Sequence, residues 1–118
     1  MKEYLDKFLP LSPAALHILL ALLSEDRHGY GIMQEVARQS GNRYKLGPGT
    51  LYDNLEKLLN QGIVEEASRR SLADDPRRRY YRLTGFGRRL LATEITRLEG
   101  VVRKARSHLR VHPEKARR

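Results

Sequence analysis

Six arginines, Arg69, Arg70, Arg77, Arg78, Arg79 and Arg82, gather around the loop Asp74-Asp75-Pro76, and Tyr80-Tyr81 interleave with the last of them. A guanidinium presents a planar fork of donors that matches phosphate oxygens, so the cluster suits a phosphate backbone or a narrow minor groove. A charge run is more often only a solvated face; what precedes this one gives it meaning. Upstream, Leu51, Leu55, Leu58 and Leu59 fall on one side of a helical period, and Thr50, Asp53, Lys57 and Asn60 fall on the other, with Tyr52 and Asn54 on the flanks. Thr, Asn and Lys side chains bond phosphates or base edges, whereas Asp53 and Glu56 repel phosphate unless one accepts from a cytosine amino group. Past Gly62 the apolar pattern changes to alternation at Tyr81 and Leu83, as a strand requires. A reading helix followed by a basic hairpin is the arrangement this order predicts.

Other chemistries find less support. No cysteine is present, which excludes disulfides and thiolate metal sites and fits a reducing, cytoplasmic setting. The four histidines are scattered, and the only pair at helical spacing, His108 and His112, sits beside Pro113 with no third ligand near in sequence. Gly47-Pro48-Gly49-Thr50 lacks the lysine and length of a phosphate-binding loop, and no Ser, Lys or carboxylate has a nucleophile's setting. The sequence therefore predicts no enzyme, no cofactor and no metal.

The elements that must position these residues are marked by caps and stops. Tyr4, Leu5, Phe8 and Leu9 form a short apolar stripe that is either a docked helix or a frayed end. Ser12 caps the next helix with Pro13 at its first position, and Leu16, Leu19, Leu20 and Leu23 make its core face. This apolar run is too short to span a bilayer, carries His17 and is followed by no cleavage site, so it reads as a buried helix. His28-Gly29-Tyr30-Gly31 opens another helix with Ile32, Met33, Val36 and Ala37 inward, which Ser40-Gly41-Asn42 closes. Tyr44-Lys45-Leu46 reads as an edge strand, and Gly47-Pro48-Gly49 turns into the helix described above.

Thr84 caps a last helix whose first turn is weakened by Gly85 and Gly87, by about 1 kcal/mol each. Within it Leu91, Ile95, Leu98, Val102, Ala105 and Leu109 repeat at spacings of four and three. That heptad seam is predicted to pair subunits; the alternative is a helix lying on its own domain.

At 118 residues, 40% hydrophobic, the chain holds one small domain and an extension. The expected division is a DNA-binding domain at 1–83, a dimerisation helix at 84–110 and a basic tail at 111–118. The net charge of +9 is lopsided: residues 1–60 carry seven bases and seven acids, residues 61–118 sixteen bases and seven acids. Excess positive charge confined to one half points to a polyanion, nucleic acid or an anionic membrane surface. Clustering on a hairpin, not along one helix face, favours the first and disfavours a membrane.

Three motifs carry a resemblance to the PadR-type transcriptional regulators: His28-Gly29-Tyr30-Gly31-Ile32, Gly49-Thr50-Leu51-Tyr52, and Arg79-Tyr80-Tyr81-Arg82-Leu83-Thr84 leading through Gly87 into the last helix. They stand in that family's order and span residues 12 to about 99. The resemblance implies a mainly α winged helix-turn-helix with a two-stranded wing and one long C-terminal dimerisation helix. It implies a homodimeric repressor of double-stranded operator DNA, relieved by a small molecule of unknown identity. The expected base contacts are Thr50, Asp53, Asn54 and Lys57; the expected phosphate or groove contacts are Lys45, Tyr52, Arg77, Arg78 and Arg79. Tyr52 reads equally as a core-edge tyrosine. An effector is expected near Tyr4 or Phe8, against the partner's terminal helix. A winged-helix adaptor that binds proteins through its last helix is the alternative function.

Overall fold

A computed structural model of the protein describes residues 2–68, 75 and 77–111. Arg69, Arg70, Asp74, Pro76, His112, Pro113 and the tail 112–118 lie outside the described residues. The elements run α1 (Lys2–Asp6), α2 (Pro13–Leu22), β1 (Arg27–His28), α3 (Gly29–Gln39), α4 (Pro48–Asn60), β2 (Val64–Ala67), β3 (Tyr80–Leu83) and α5 (Gly85–Val111). The three strands form one antiparallel sheet in the order β1-β3-β2, with Arg27 opposite Tyr81 and Glu66 opposite that same tyrosine.

Local chemistry explains most of the boundaries. The Ala15 N–H donates to Ser12 Oγ at 3.1 Å, and Pro13 needs no such partner at the first position of α2. Gly41 and Asn42 both take positive φ, which stops α3. At the end of α4, Gly62 (φ 71°) lets its own N–H reach Leu59 O and the Ile63 N–H reach Leu58 O, the paired bonds of a Schellman stop. Thr84 then joins sheet to helix. Its hydroxyl accepts from the Gly87 N–H at 2.9 Å and donates to Gly62 O at 2.6 Å. A Cβ at Gly87 would lie 2.1 Å from Ile63 O, so the weak helix former there is required by close backbone approach.

The core draws on every helix and on β2 and β3. Ile18, Leu19, Ile32, Val36, Leu51, Leu55, Ile63, Leu90 and Leu91 are fully buried, and Leu5 brings α1 into the same cluster, which resolves that segment as docked. Tyr4 and Phe8 meet Phe86 of α5 in an aromatic triad with centroids 5.4 to 5.6 Å apart, Phe8 edge-on to both partners and Tyr4 tilted against Phe86. Glu94, 1% exposed, ties the same region by polar bonds: it accepts from the Leu11 N–H at 2.9 Å and from Arg97 at 2.6 and 3.1 Å. The Arg97 guanidinium, helped by that N–H, holds Glu94 below the usual carboxylate range against the opposing effect of burial. On α3, Arg38, then Gln39 and Arg27, lower buried Glu35 to about 2 in the same way.

Three expectations are corrected by the structure. Residues 44–46 form no strand, because Ser40 Oγ both accepts from the Tyr44 N–H and donates to its carbonyl, taking the groups a ladder would use. The third strand is β1 instead. On α2 the inward face is Ala14, Ala15, Ile18, Leu19, Ala21 and Leu22; Leu16 and Leu20 are half-buried and Leu23 is exposed. Leu91, expected in the seam between subunits, is 1% exposed within its own protomer, where it belongs to the hydrophobic core.

From residue 101 to 110 every side chain of α5 is exposed, among them Val101, Val102 and Leu109. The helix therefore begins as a core element and ends as a projection. No helix among the described residues is long and apolar enough to cross a membrane.

Candidate nucleic-acid interface

The buried side of α4 is Leu51, Leu55 and Leu58, which turns Thr50, Asp53, Lys57 and Asn60 outward, all exposed as the period requires. Lys45 is exposed on the approach to the helix. Asn54 is half-buried, and its amide donates one N–H to Thr50 O at 2.8 Å, which leaves its second N–H and its carbonyl oxygen. It shares a groove of about 270 Å³ with Lys7, Lys57 and Gln61 on the side of α4 that faces the N-terminal arm.

Tyr52 stands on the opposite flank and is half exposed. A Cβ at Gly29 would lie 2.3 Å from its hydroxyl, so the first glycine of the α3 motif is there to seat the tyrosine of the α4 motif. The third motif meets them. A concavity of about 300 Å³ is walled by His28, Tyr30, Tyr52, Arg78, Arg79 and Tyr81. Burial raises the Tyr81 phenol above its ordinary value, and Arg79 lies 5.9 Å from that ring.

Within the wing the arginines hold partners already. Arg79 Nε donates to Glu66 at 2.5 Å, Arg82 Nε to Glu65 at 2.8 Å, and Arg77 reaches Asp75 at 3.2 Å. Arg79 and Glu66 shift each other's protonation in the direction of the charged pair. Arg78 instead places Nη1 3.0 Å from His28 Nε2. His28 also caps α3, accepting from the Gly31 N–H through Nδ1 at 3.0 Å, and packs edge-on to Tyr80. Sequence reasoning missed His28 as a member of this surface; its place at the head of Gly29-Tyr30-Gly31 was the available signal.

Phe8 lines the groove beside α4, but neither it nor Tyr4 lines the larger concavity between the N-terminal arm and α5. That space, about 600 Å³, lies between Leu5, Leu9 and Pro10 on one side and Thr93, Thr96 and Arg97 of α5 on the other. The remaining seam residues of α5 split by depth: Ile95 packs partly on the core, Leu98 is half-buried, and Val102, Ala105 and Leu109 are exposed.

Residues 18–93 match the model of the transcriptional regulator PadR-like family. The transcriptional regulator Rv3488 of Mycobacterium tuberculosis is 35% identical over 89 residues, covering 75% of this chain and 78% of that protein. Among solved structures, a transcriptional regulator from Clostridium thermocellum superposes with a TM-score of 0.68 at 20% identity, over 91% of this chain and 95% of that one. Bacillus subtilis PadR in complex with operator DNA gives a TM-score of 0.61 at 21% identity, over 73% of this chain and 48% of that protein. These two likenesses establish the winged-helix fold.

Proposed function

Because the chain belongs to the PadR-like family, one of DNA-binding transcriptional regulators and not of enzymes, we propose that it is a homodimeric repressor acting on a pseudo-palindromic operator. The observation that carries this reading is the shared surface: the polar face of α4 and the wing flank one another, and three sequence motifs meet between them. Two copies joined along α5 set their α4 helices in successive major grooves, about 34 to 36 Å apart. Thr50, Asp53, Asn54 and Lys57 face base edges. Lys45, Tyr52, Arg77, Arg78 and Arg79 hold backbone.

The subunit seam runs through Ile95, Leu98, Val102, Ala105 and Leu109, which the protomer leaves wholly or partly uncovered. The working boundary between DNA-binding and dimerisation units falls inside α5, near Ile95, not at residue 84. A small-molecule effector fits the space between the N-terminal arm and α5, where Leu5 and Leu9 supply apolar surface and Arg97 supplies charge.

Selection of bound fragments from genomic DNA, followed by affinity measurements from 50 to 200 mM salt, tests the reading. A dimer making about six to ten phosphate contacts loses about a thousandfold or more across that range. Affinity independent of salt would instead support the protein-binding adaptor.

A further inference from the structure

The two flanks of α4 differ in charge. On the flank toward the wing, Tyr52, Glu56 and Leu59 share a concavity with Arg79, and that arginine is paired with Glu66. On the other flank Asn54, Lys57 and Gln61, at spacings of three and four, follow one helical stripe along the groove of about 270 Å³. The N-terminal arm contributes Lys7 to that groove, exposed, its ammonium 5.4 Å from the centre of the Tyr4 ring. Two ammonium groups and two side-chain amides thus line one groove, and among the described residues no carboxylate does. Asp6, the acid next to Lys7, lines the space on the α5 side of the arm instead. Lysine can only donate, and an amide can donate while its carbonyl turns away, so the lining matches an anion. A merely solvated surface mixes its signs, as the wing-side flank does.

We propose that Lys7 and Gln61 form a seat for a DNA backbone phosphate on the flank of α4 away from the wing, which makes the N-terminal arm a DNA-contacting element. This seat rests on the DNA-binding reading above and adds to it two residues which that reading leaves without a role. A helix lying in a major groove has the backbone of one strand on each flank. The wing takes the strand on the Tyr52 side; the arm takes the other on the Gln61 side. Asn54 and Lys57 line the same groove, so base edges and backbone are met on one continuous surface. Arg77, Arg79 and Arg82 must each give up a carboxylate to take a phosphate, whereas Lys7 gives up only a ring contact. The arm is also fixed in place beforehand, by Leu5 in the core and by the Leu11 N–H on Glu94.

The test uses the full chain and a duplex of about 30 base pairs enriched by it from a randomised pool. Lys7 and Gln61 are both exposed, so Lys7→Gln and Gln61→Ala leave the packed core untouched. Lys7→Gln is expected to weaken binding about tenfold and to flatten the salt dependence by about 0.9 per subunit. Lys7→Arg, which keeps the charge and the donors, should restore both. Gln61→Ala is expected to cost severalfold with no change in slope, because a neutral donor is lost. Single methylphosphonates walked along each strand should reveal one position per half-site that weakens the wild type and is silent in Lys7→Gln. That position should still weaken Arg78→Gln, since the wing holds the opposite strand. If Lys7→Gln keeps the wild-type slope and the wild-type sensitivity at every phosphate, the seat is overturned while the DNA-binding reading stands. If no duplex is enriched at all, both fall.

Discussion

Along α4 the outer polar side chains stand exposed and nearly balanced in charge, Lys57 against Asp53 and Glu56, while in the wing three of four described arginines are ion-paired within the chain. The helix offers direction without attraction. At three of those arginines the wing offers attraction that must first be released, because a phosphate taken there replaces a carboxylate. Surface pairs of this kind contribute only about 0 to 1 kcal/mol, so the exchange is easy, and a polyanion with many phosphates displaces them cooperatively. Discrimination and affinity are thus expected to reside in different elements, and substitution can separate them.

The largest effect should come from removing what joins two copies of both regions. Leu98→Glu with Val102→Glu is expected to give monomers in sedimentation and to reduce operator affinity by about a thousandfold, since half-site binding loses one full set of contacts. An unchanged dimer mass would move the interface off α5. Next, Arg77→Gln, Arg78→Gln and Arg79→Gln together should lower affinity for every duplex by about a hundredfold and flatten the salt slope. Thr50→Ala with Lys57→Ala should instead reduce the ratio of operator to random-sequence affinity. If the arginine variant lost that ratio and the helix variant did not, the division of labour would be reversed.

A smaller effect of opposite sign sharpens the point about release. Glu66→Gln frees Arg79 from its partner, so affinity is expected to rise by a few fold with a steeper salt dependence. Last comes a control on α3, outside the exposed faces just compared. The folded-state value of Glu35 is about 2 against an ordinary 4.5, so its contribution to stability is complete above about pH 4.5 and is lost as pH falls toward 2. Thermal melts over that window should show a shallower acid loss in Glu35→Gln than in the wild type.

Caps and stops were the most legible part of the fold in the sequence. Ser12-Pro13, Gly62 and Thr84 act through neighbours a few residues away, and so did the predicted helix starts and ends around them. The outward face of α4 was equally readable, because its leucines are separated cleanly from its polar residues. Where all sides of a segment are apolar, as in α2, spacing could not tell which leucines face inward. Arg27–His28 has no strand character of its own; it becomes β1 only because β3 has a free edge beside it. Leu91 shares the heptad of Leu98 and Val102, and a heptad records an apolar stripe without recording which neighbour covers it. Glu35 and Glu94 read as ordinary surface charges, since the arginines that permit their burial lie one helical turn away and look like solvent-facing companions. The PadR resemblance, resting on three short motifs, was confirmed; the structure adds the reason those motifs travel together, which is that Gly29 seats Tyr52 beside the wing.

The uninterrupted course of α5 has a mechanical consequence. Its first turns are gripped by Leu90, Leu91 and Glu94, and the remainder extends free of its own domain. A helix of 27 residues is about 40 Å long, and the part beyond Glu94 makes a lever of about 26 Å, so each degree of tilt at the gripped end swings the far end by about 0.45 Å. The Glu94 bond to the Leu11 N–H sits at that fulcrum. In the proposed dimer, a shift of the N-terminal arm by a fraction of an ångström is expected to be geared into a change in the distance between the two α4 helices, with no hinge required along the shaft.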